Sequence, residues 1–195
     1  MSARKRVGVL ALQGDFEAHQ KALERAGAEA VQVRTAEELK NIDALVIPGG
    51  ESTTMLKLLN FMNLKEPLRR FVNEKPVFGT CAGAILLATD VQNPAQESFG
   101  VVDMTVERNG YGRQIDSRVA RLEPEAEFQR RAGAGDMEAV FIRAPIIRRT
   151  GPGVRVLAEY DGDPVLVEQG RHLIATFHPE LTGDTRVHRL FLSKL

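Results

Sequence analysis

Five residues, Gly79-Thr80-Cys81-Ala82-Gly83, constrain the fold of this chain more than any others. Pro76-Val77-Phe78 before them reads as a short buried strand. Ala82 to Ala88 reads as the first turns of an apolar helix. The G-x-C-x-G between is the thiol form of G-x-S-x-G, a sharp strand-to-helix turn known as a nucleophile elbow. Such a turn strains the backbone at its centre and crowds the residues two before and two after, so both must be small. Gly79 and Gly83 meet that need. Cys81 then stands at a helix N-terminus, where the dipole and free N–H groups favour thiolate over thiol. The competing reading is a cysteine buried on a core strand, since free cysteines are among the most buried residues. The glycines, and the residues far downstream, favour the elbow.

The 195 residues suit one domain, 1–195, with a core of its own. Lys plus Arg is 26 and Asp plus Glu is 26, so nothing in the charge argues for a nucleic acid or an anionic membrane as ligand. A single cysteine excludes an internal disulfide framework and a cysteine zinc cluster, and suits a reducing, cytoplasmic compartment. No apolar run approaches the ~20 residues that span a bilayer. The start MSARKR is basic, but VGVLALQGD behind it is too short for a signal-peptide core and reads as a first strand.

Along the first half, strands and helices alternate. Val7 to Leu12 reads as a parallel strand covered on both faces. Asp15 caps a helix to about Ala26, stopped by Gly27. Ala30–Val33 is a second strand. Thr35 with Glu38 forms a capping box for Ala36–Lys40. Asp43–Ile47 is a third strand, ended by Pro48-Gly49-Gly50. Helices follow at Ser52–Phe61 and about Glu66–Asn73, and then the elbow. The alternation implies α/β: a three-layer flavodoxin-like or Rossmann-like sheet, mostly parallel. After Asp90 the rhythm changes. Gln92–Ser98 reads as a loop, and strands are expected at Val101–Glu107, Ser117–Leu122, Ala139–Arg143, Val154–Tyr160, Pro164–Glu168 and His172–Phe177. Antiparallel strands therefore join the sheet in this half. Glu123–Asp136 reads as a polar mobile loop. Asp184–Leu195 is a closing helix with Val187, Leu190 and Phe191 on one face.

A nucleophilic cysteine needs a base, and the base needs an orienting group. Of the four histidines, His19 and His188 fall in amphipathic helices and are expected in solvent, and His172 starts a strand. His178 ends an apolar strand at its carboxyl end, where open α/β sheets place their sites. Glu180 follows two residues on, and in extended chain i and i+2 point the same way. Cys81, His178 and Glu180 thus read as a triad, against the alternative of a surface histidine beside an ordinary acid. An oxyanion hole needs backbone N–H donors. Ala82, after the nucleophile, offers one, and the loop Pro48-Gly49-Gly50-Glu51-Ser52, through Gly50, offers the other. No Gly-Lys-Ser/Thr closes that loop, so it is not a P-loop.

GTCAG, PGGEST and FHPEL resemble class I, triad-type glutamine amidotransferase domains. The longer strings ALQGDFEAH, VIPGGESTT, VERNGYGRQIDS with FIRAP, and FHPELTGD resemble the glutaminase subunit of pyridoxal 5′-phosphate synthase, from Val7 to Phe191. The resemblance implies Cys81 as nucleophile and His178 and Glu180 as its triad partners. It implies Gly50, Glu51, Ser52, Arg108, Ile142 and Arg143 as glutamine-binding residues. No cofactor is expected, and no metal is called for, since the sequence presents no ligand cluster. The partner the resemblance implies is a synthase subunit, a (β/α)8 barrel in a large hetero-oligomer that uses the ammonia released. Gln13 and Gly14, after the first strand, are candidate interface residues. Ala84 departs from the pattern, which leads one to expect a larger aliphatic residue there. Three alternatives stay open: a glutaminase subunit of a histidine or purine pathway, a cysteine protein of the DJ-1/PfpI type, and a non-catalytic flavodoxin-like module.

Overall fold

The structure is a computed structural model describing residues 5–109 and 117–195. Residues 110–116, within the string VERNGYGRQIDS, lie outside the described residues. The first half alternates as its pattern dictates: β1 (Arg6–Leu10), α1 (Phe16–Arg25), β2 (Glu29–Val33), α2 (Ala36–Lys40), β3 (Ala44–Ile47), α3 (Ser52–Phe61), α4 (Lys65–Glu74), β4 (Val77–Thr80) and α5 (Ala82–Leu87). The starts of these helices are set locally. The Asp15 carboxylate accepts the Ala18 N–H at the head of α1. Thr35 and Glu38 form a reciprocal capping box at α2. The second half contributes β5 (Ala88–Gln92), β6 (Val102–Glu107), β7 (Arg118–Leu122), α6 (Ala126–Ala132), β8 (Met137–Phe141), β9 (Ile146–Thr150), β10 (Arg155–Tyr160), β11 (Asp163–Gln169), β12 (His172–Ala175) and α7 (Arg186–Leu192).

A seven-stranded sheet in the order β10-β11-β12-β4-β3-β1-β2 forms the middle layer. From β12 to β2 every pairing is parallel. β10 and β11 add antiparallel pairings at one edge. β3, β4 and β12 are buried along their whole lengths, the signature of strands covered on both faces. One face packs Ile47, Met55, Leu59, Leu68 and Leu87 beneath α3, α4 and α5, and is continued by the small sheet β5-β6-β9. The other packs Val9, Val46, Phe78, Leu23, Leu190 and Phe191 beneath α1 and α7, with Phe128 of α6 and the β7-β8 pair alongside. Each such Phe or Leu removed from water contributes about 1.5–3 kcal/mol.

Four expectations are corrected. Glu123–Asp136 is not simply a loop: it holds α6, anchored by the fully buried Phe128. β5 and β9 were not expected as strands; both pair with β6, which follows β5 after a loop of about ten residues and lies some forty residues before β9. The strand expected at Ala139–Arg143 ends at Phe141, which leaves Ile142 and Arg143 in the following turn, with Arg143 at φ 44. Finally, β12 stops at Ala175, and Pro179–Leu181 form a 3-10 turn, so His178 and Glu180 meet across a turn and not along an extended strand.

Candidate active site

Cys81 follows β4 directly and takes φ 49, ψ −105, a conformation that costs a non-glycine residue roughly 1–3 kcal/mol. The fold holds it there from both sides. Its N–H donates to the Ala175 carbonyl of β12 (3.0 Å), and its own carbonyl accepts the Ile85 N–H as α5 begins. The elbow glycines are sterically required. A Cβ on Gly79 would stand 2.7 Å from the Gly83 carbonyl, and one on Gly83 would run into the Ile47 backbone of β3. The Cys81 thiol is free, nearly buried, and 3.9 Å from the Ile142 carbonyl.

Because β12 lies beside β4, with Ala175 opposite Thr80, the chain leaving β12 reaches the elbow. The His178 N–H is pinned to the Val140 carbonyl of β8 (2.8 Å). Its Nδ1 lies 2.6 Å from Glu180 Oε1, and the ring stands beside the Cys81 side chain, which acts on its titration. Burial opposes a charge on this ring, but the bonds to Cys81 and Glu180, with the negative charge of both, push its pKa up to about 10. His178 and Cys81 also close on Gly49 together: a Cβ there would lie 2.6 Å from His178 Cε1 and 3.3 Å from Cys81 Cβ.

The loop after β3 supplies the opposite wall. Gly50 has φ 137, open only to glycine, and a Cβ on it would strike the Gln13 side chain at 2.8 Å. Gln13 Nε2 donates to the Glu51 carbonyl at 2.5 Å, and a Cβ on Gly14 would collide with the Gly49 carbonyl. Gln13 and Gly14 are therefore packed on this loop, whatever else they contact. Ala82, as the first residue of α5, has an N–H without an intrahelical acceptor.

A cavity of about 230 Å³ opens between these walls. Gly50, Glu51, Ser52, Cys81, Arg108, Ile142, Arg143 and His178 all line it, joined by Ile85 and Asn109, which the sequence reading did not name. Ala82 and Glu180 do not reach its surface. The Glu51 carboxylate caps α3, accepting from Thr53 N (3.0 Å), Thr54 N (2.8 Å) and Thr54 Oγ1 (2.7 Å). Burial would raise its pKa, yet these bonds bring it down to about 2. Arg108 Nη2 lies 3.3 Å from Glu51 Oε1 and donates to Thr53 Oγ1 at 2.8 Å. The Ser52 hydroxyl turns away, to Gln96 Oε1 at 2.9 Å. Among the described residues no three His, Cys, Asp or Glu side chains are grouped so as to hold a metal ion.

His19 and His188 are not in solvent as expected. Both are fully buried, behind Glu180. The signal was present in spacing: His19 stands three and four residues before Ala22 and Leu23, and His188 shares the face of Val187, Leu190 and Phe191.

A doubly covered, mostly parallel sheet with a cysteine elbow and an imidazole–carboxylate pair at its carboxyl edge is the architecture of the class I glutamine amidotransferases. The chain belongs to the SNO glutamine amidotransferase family, whose model matches residues 9–195. It is 66% identical over 191 residues to the "Pyridoxal 5′-phosphate synthase subunit PdxT" of Solibacter usitatus, covering 98% of this chain and 100% of the relative. Its identity to the protein of the same name from Koribacter versatilis is 60%, over 96% of this chain and 94% of the relative. A solved structure described as a glutamine amidotransferase superposes with a TM-score of 0.85 at 49% identity, covering 96% of this chain and 97% of the other. Membership of this family sets aside the DJ-1/PfpI and flavodoxin-like alternatives.

Proposed function

We propose that the chain is the glutaminase subunit of a pyridoxal 5′-phosphate synthase, hydrolysing L-glutamine to L-glutamate and ammonia for vitamin B6 biosynthesis. The relatives at 66% and 60% identity carry that subunit name, which favours this pathway over a histidine or purine one. The observation that carries the chemistry is Cys81 at φ 49 beside a His178 that Glu180 holds at 2.6 Å, thiol-bearing carbon and ring closing together on Gly49.

The Cys81 thiolate attacks the side-chain amide carbon of glutamine, forming a C–S bond while the carbonyl electrons move to oxygen. The N–H groups of Gly50 and Ala82 receive that oxyanion. Protonated His178 gives its proton to the departing nitrogen as the C–N bond breaks, so ammonia leaves and a thioester remains on Cys81. Neutral His178 then takes a proton from water, the resulting hydroxide attacks the thioester, and glutamate leaves as the thiolate is restored. Glu180 keeps the ring oriented throughout. A cavity of 230 Å³ suits one amino acid. Arg108 and Arg143 offer charge to its α-carboxylate, Glu51 to its α-ammonium, and Ile142 an apolar wall. Because Glu51 already caps α3 and pairs with Arg108, substrate binding has to draw on the remaining acceptor capacity of a carboxylate that is about half exposed.

Ammonia in neutral water is protonated and no longer nucleophilic, so the product is useful only when handed over under shelter. That calls for a partner, and the family resemblance implies which: the synthase subunit, a (β/α)8 barrel in a large hetero-oligomer, with the single glutaminase domain working in a reducing cytoplasm where Cys81 stays free. The loop 48–52 is the switch: Gln13, bonded to the Glu51 carbonyl, transmits contact with the partner to the Gly50 peptide. The test is the thioester, trapped from glutamine on the wild-type chain and absent from Cys81→Ala. An adduct surviving in that variant refutes the assignment. Glutaminase rates with and without the synthase test the switch, and full activity of the isolated chain overturns it.

A further inference from the structure

Glu180 presents two oxygens, and the triad accounts for one. Oε1 meets His178 Nδ1 at 2.6 Å, while Oε2 is buried and has no hydrogen bond of good geometry. His19 Nε2, on α1, lies 3.3 Å from it. That nitrogen also lies 3.0 Å from Thr80 Oγ1, the residue before the nucleophile. On its other side, His19 Nδ1 is 3.1 Å from His188 Nε2 of α7. Neither His19 nor His188 is exposed at all, and the Glu180 side chain is 1% exposed.

Two neutral arrangements of the histidine pair are available, and they are unequal. In the first, His188 Nε2–H donates to His19 Nδ1, so His19 carries its proton on Nε2, facing Glu180 Oε2 and Thr80 Oγ1. His188 Nδ1, which has no partner among the described residues, is then a bare lone pair. In the second, His19 Nδ1–H donates to His188. His19 then turns a lone pair on the carboxylate, and His188 Nδ1–H becomes a buried donor without an acceptor. The second arrangement carries two penalties that the first avoids. Charging either ring is opposed as well. Burial, then the nearby His188 and His178, holds His19 well below the usual histidine range. Burial, then Arg25, brings His188 down to about 3, with Asp184 pulling the other way.

We propose that His19 is a positioning residue for catalysis: its Nε2–H, oriented by His188 and bonded to Thr80 Oγ1, turns its positive end to the second oxygen of Glu180 at 3.3 Å and so restrains the carboxylate plane that aims His178 at Cys81. A carboxylate held at one oxygen swings about its terminal bond, and the imidazole swings with it. Held at both, against Thr80 on the elbow strand, it is locked to the same piece of chain that carries the nucleophile. The inference rests on the triad reading above.

The test compares His19→Leu, which removes the donor at similar volume, with His19→Gln, whose amide nitrogen reaches the place of Nε2. Glutamine hydrolysis is measured with the full chain and the synthase subunit present. In His19→Leu, kcat is expected to fall about 10- to 100-fold, the usual scale for groups that orient a reacting side chain, with KM unchanged. His19→Gln is expected to recover most of that loss. The low-field proton resonance of the short His178–Glu180 bond is expected to broaden or move upfield in His19→Leu and to return in His19→Gln. Wild-type kcat and an unmoved resonance in His19→Leu overturn the proposal, as does an equal loss in both variants. If His19→Leu does not fold, His188→Leu against His188→Gln makes the same comparison one bond further out. Cys81→Ala separates the two levels: if it still hydrolyses glutamine the triad reading fails, while the resonance still reports whether His19 orders the His178–Glu180 pair.

Discussion

Replacing Cys81 with alanine should lower the pKa of His178, and by an amount that the site geometry bounds. The rise from 6.5 to about 10 corresponds to ~5 kcal/mol in favour of the imidazolium, gained against the cost of burying it. Among the described residues Cys81 and Glu180 supply that preference. With Cys81 gone, Glu180 alone must oppose burial, and an even division between the two implies a fall of roughly 2 pH units or more. Cys81→Ser keeps a hydrogen-bonding atom but no charge, and should fall between wild type and Cys81→Ala. With four histidines in the chain, labelled imidazole resonances can be followed individually by NMR from neutral into alkaline pH. An unchanged His178 titration in Cys81→Ala would mean that Glu180 alone holds the proton. In that case thiol and imidazole do not form an ion pair, and the mechanism loses its resting state.

Three further outcomes follow from the same geometry. Burial, then the charges of Arg171 and Lys194, lowers His172 to about 4, against its bond with the Val77 backbone. At this group the unfolded chain binds one more proton than the folded one between pH 4 and 6.5, so its contribution to stability falls as pH drops through that window, by up to ~3 kcal/mol, in the same direction as those of buried His19 and His188. His172→Gln should make this acid limb shallower in urea unfolding without abolishing it, since His19 and His188 remain, and parallel profiles would exclude the effect. Gly83→Ala drives a Cβ into the Ile47 backbone and should cost about 1–3 kcal/mol in the same assay, together with most of the activity. Arg108→Leu leaves Glu51 and Thr53 in place but removes a guanidinium from the cavity wall, so KM for glutamine should rise about 10-fold with kcat little changed; a fall in kcat alone would point away from substrate binding.

What could be read in the sequence was what is decided locally. Asp15, Thr35 with Glu38, and the paired glycines of the elbow act within four residues of themselves, and the elements they begin lie where the pattern puts them. β5 and β9 lacked such signals, because what makes them strands is pairing with β6 outside their own few residues, across a loop for β5 and from some forty residues away for β9. The segment AEFQRRA of α6 looks like solvent-facing loop until its one apolar anchor, Phe128, is seen inserted between α7 and the sheet. The His178–Glu180 contact was expected from the two-residue alternation of an extended strand. It arises instead because a 3-10 turn at Pro179 folds the carboxylate back under the ring.

The site itself turns on strand order, which no local pattern encodes. Cys81, the 48–52 loop, Gln13 and His178 each follow the carboxyl end of a parallel strand, β4, β3, β1 and β12 respectively. Strand ends alone would scatter them along a sheet edge. Neighbouring strands are about 4.8 Å apart, so only β12-β4-β3-β1 in adjacent places brings all four groups within reach of one small molecule. That adjacency depends on β12 entering beside β4 in parallel, after β10 and β11 have turned the chain antiparallel at the edge. The antiparallel edge therefore does more than extend the sheet. It delivers the last-made strand to the elbow in the one direction that points His178 at the thiol, while α1 and α7 close behind Glu180 with the two buried histidines.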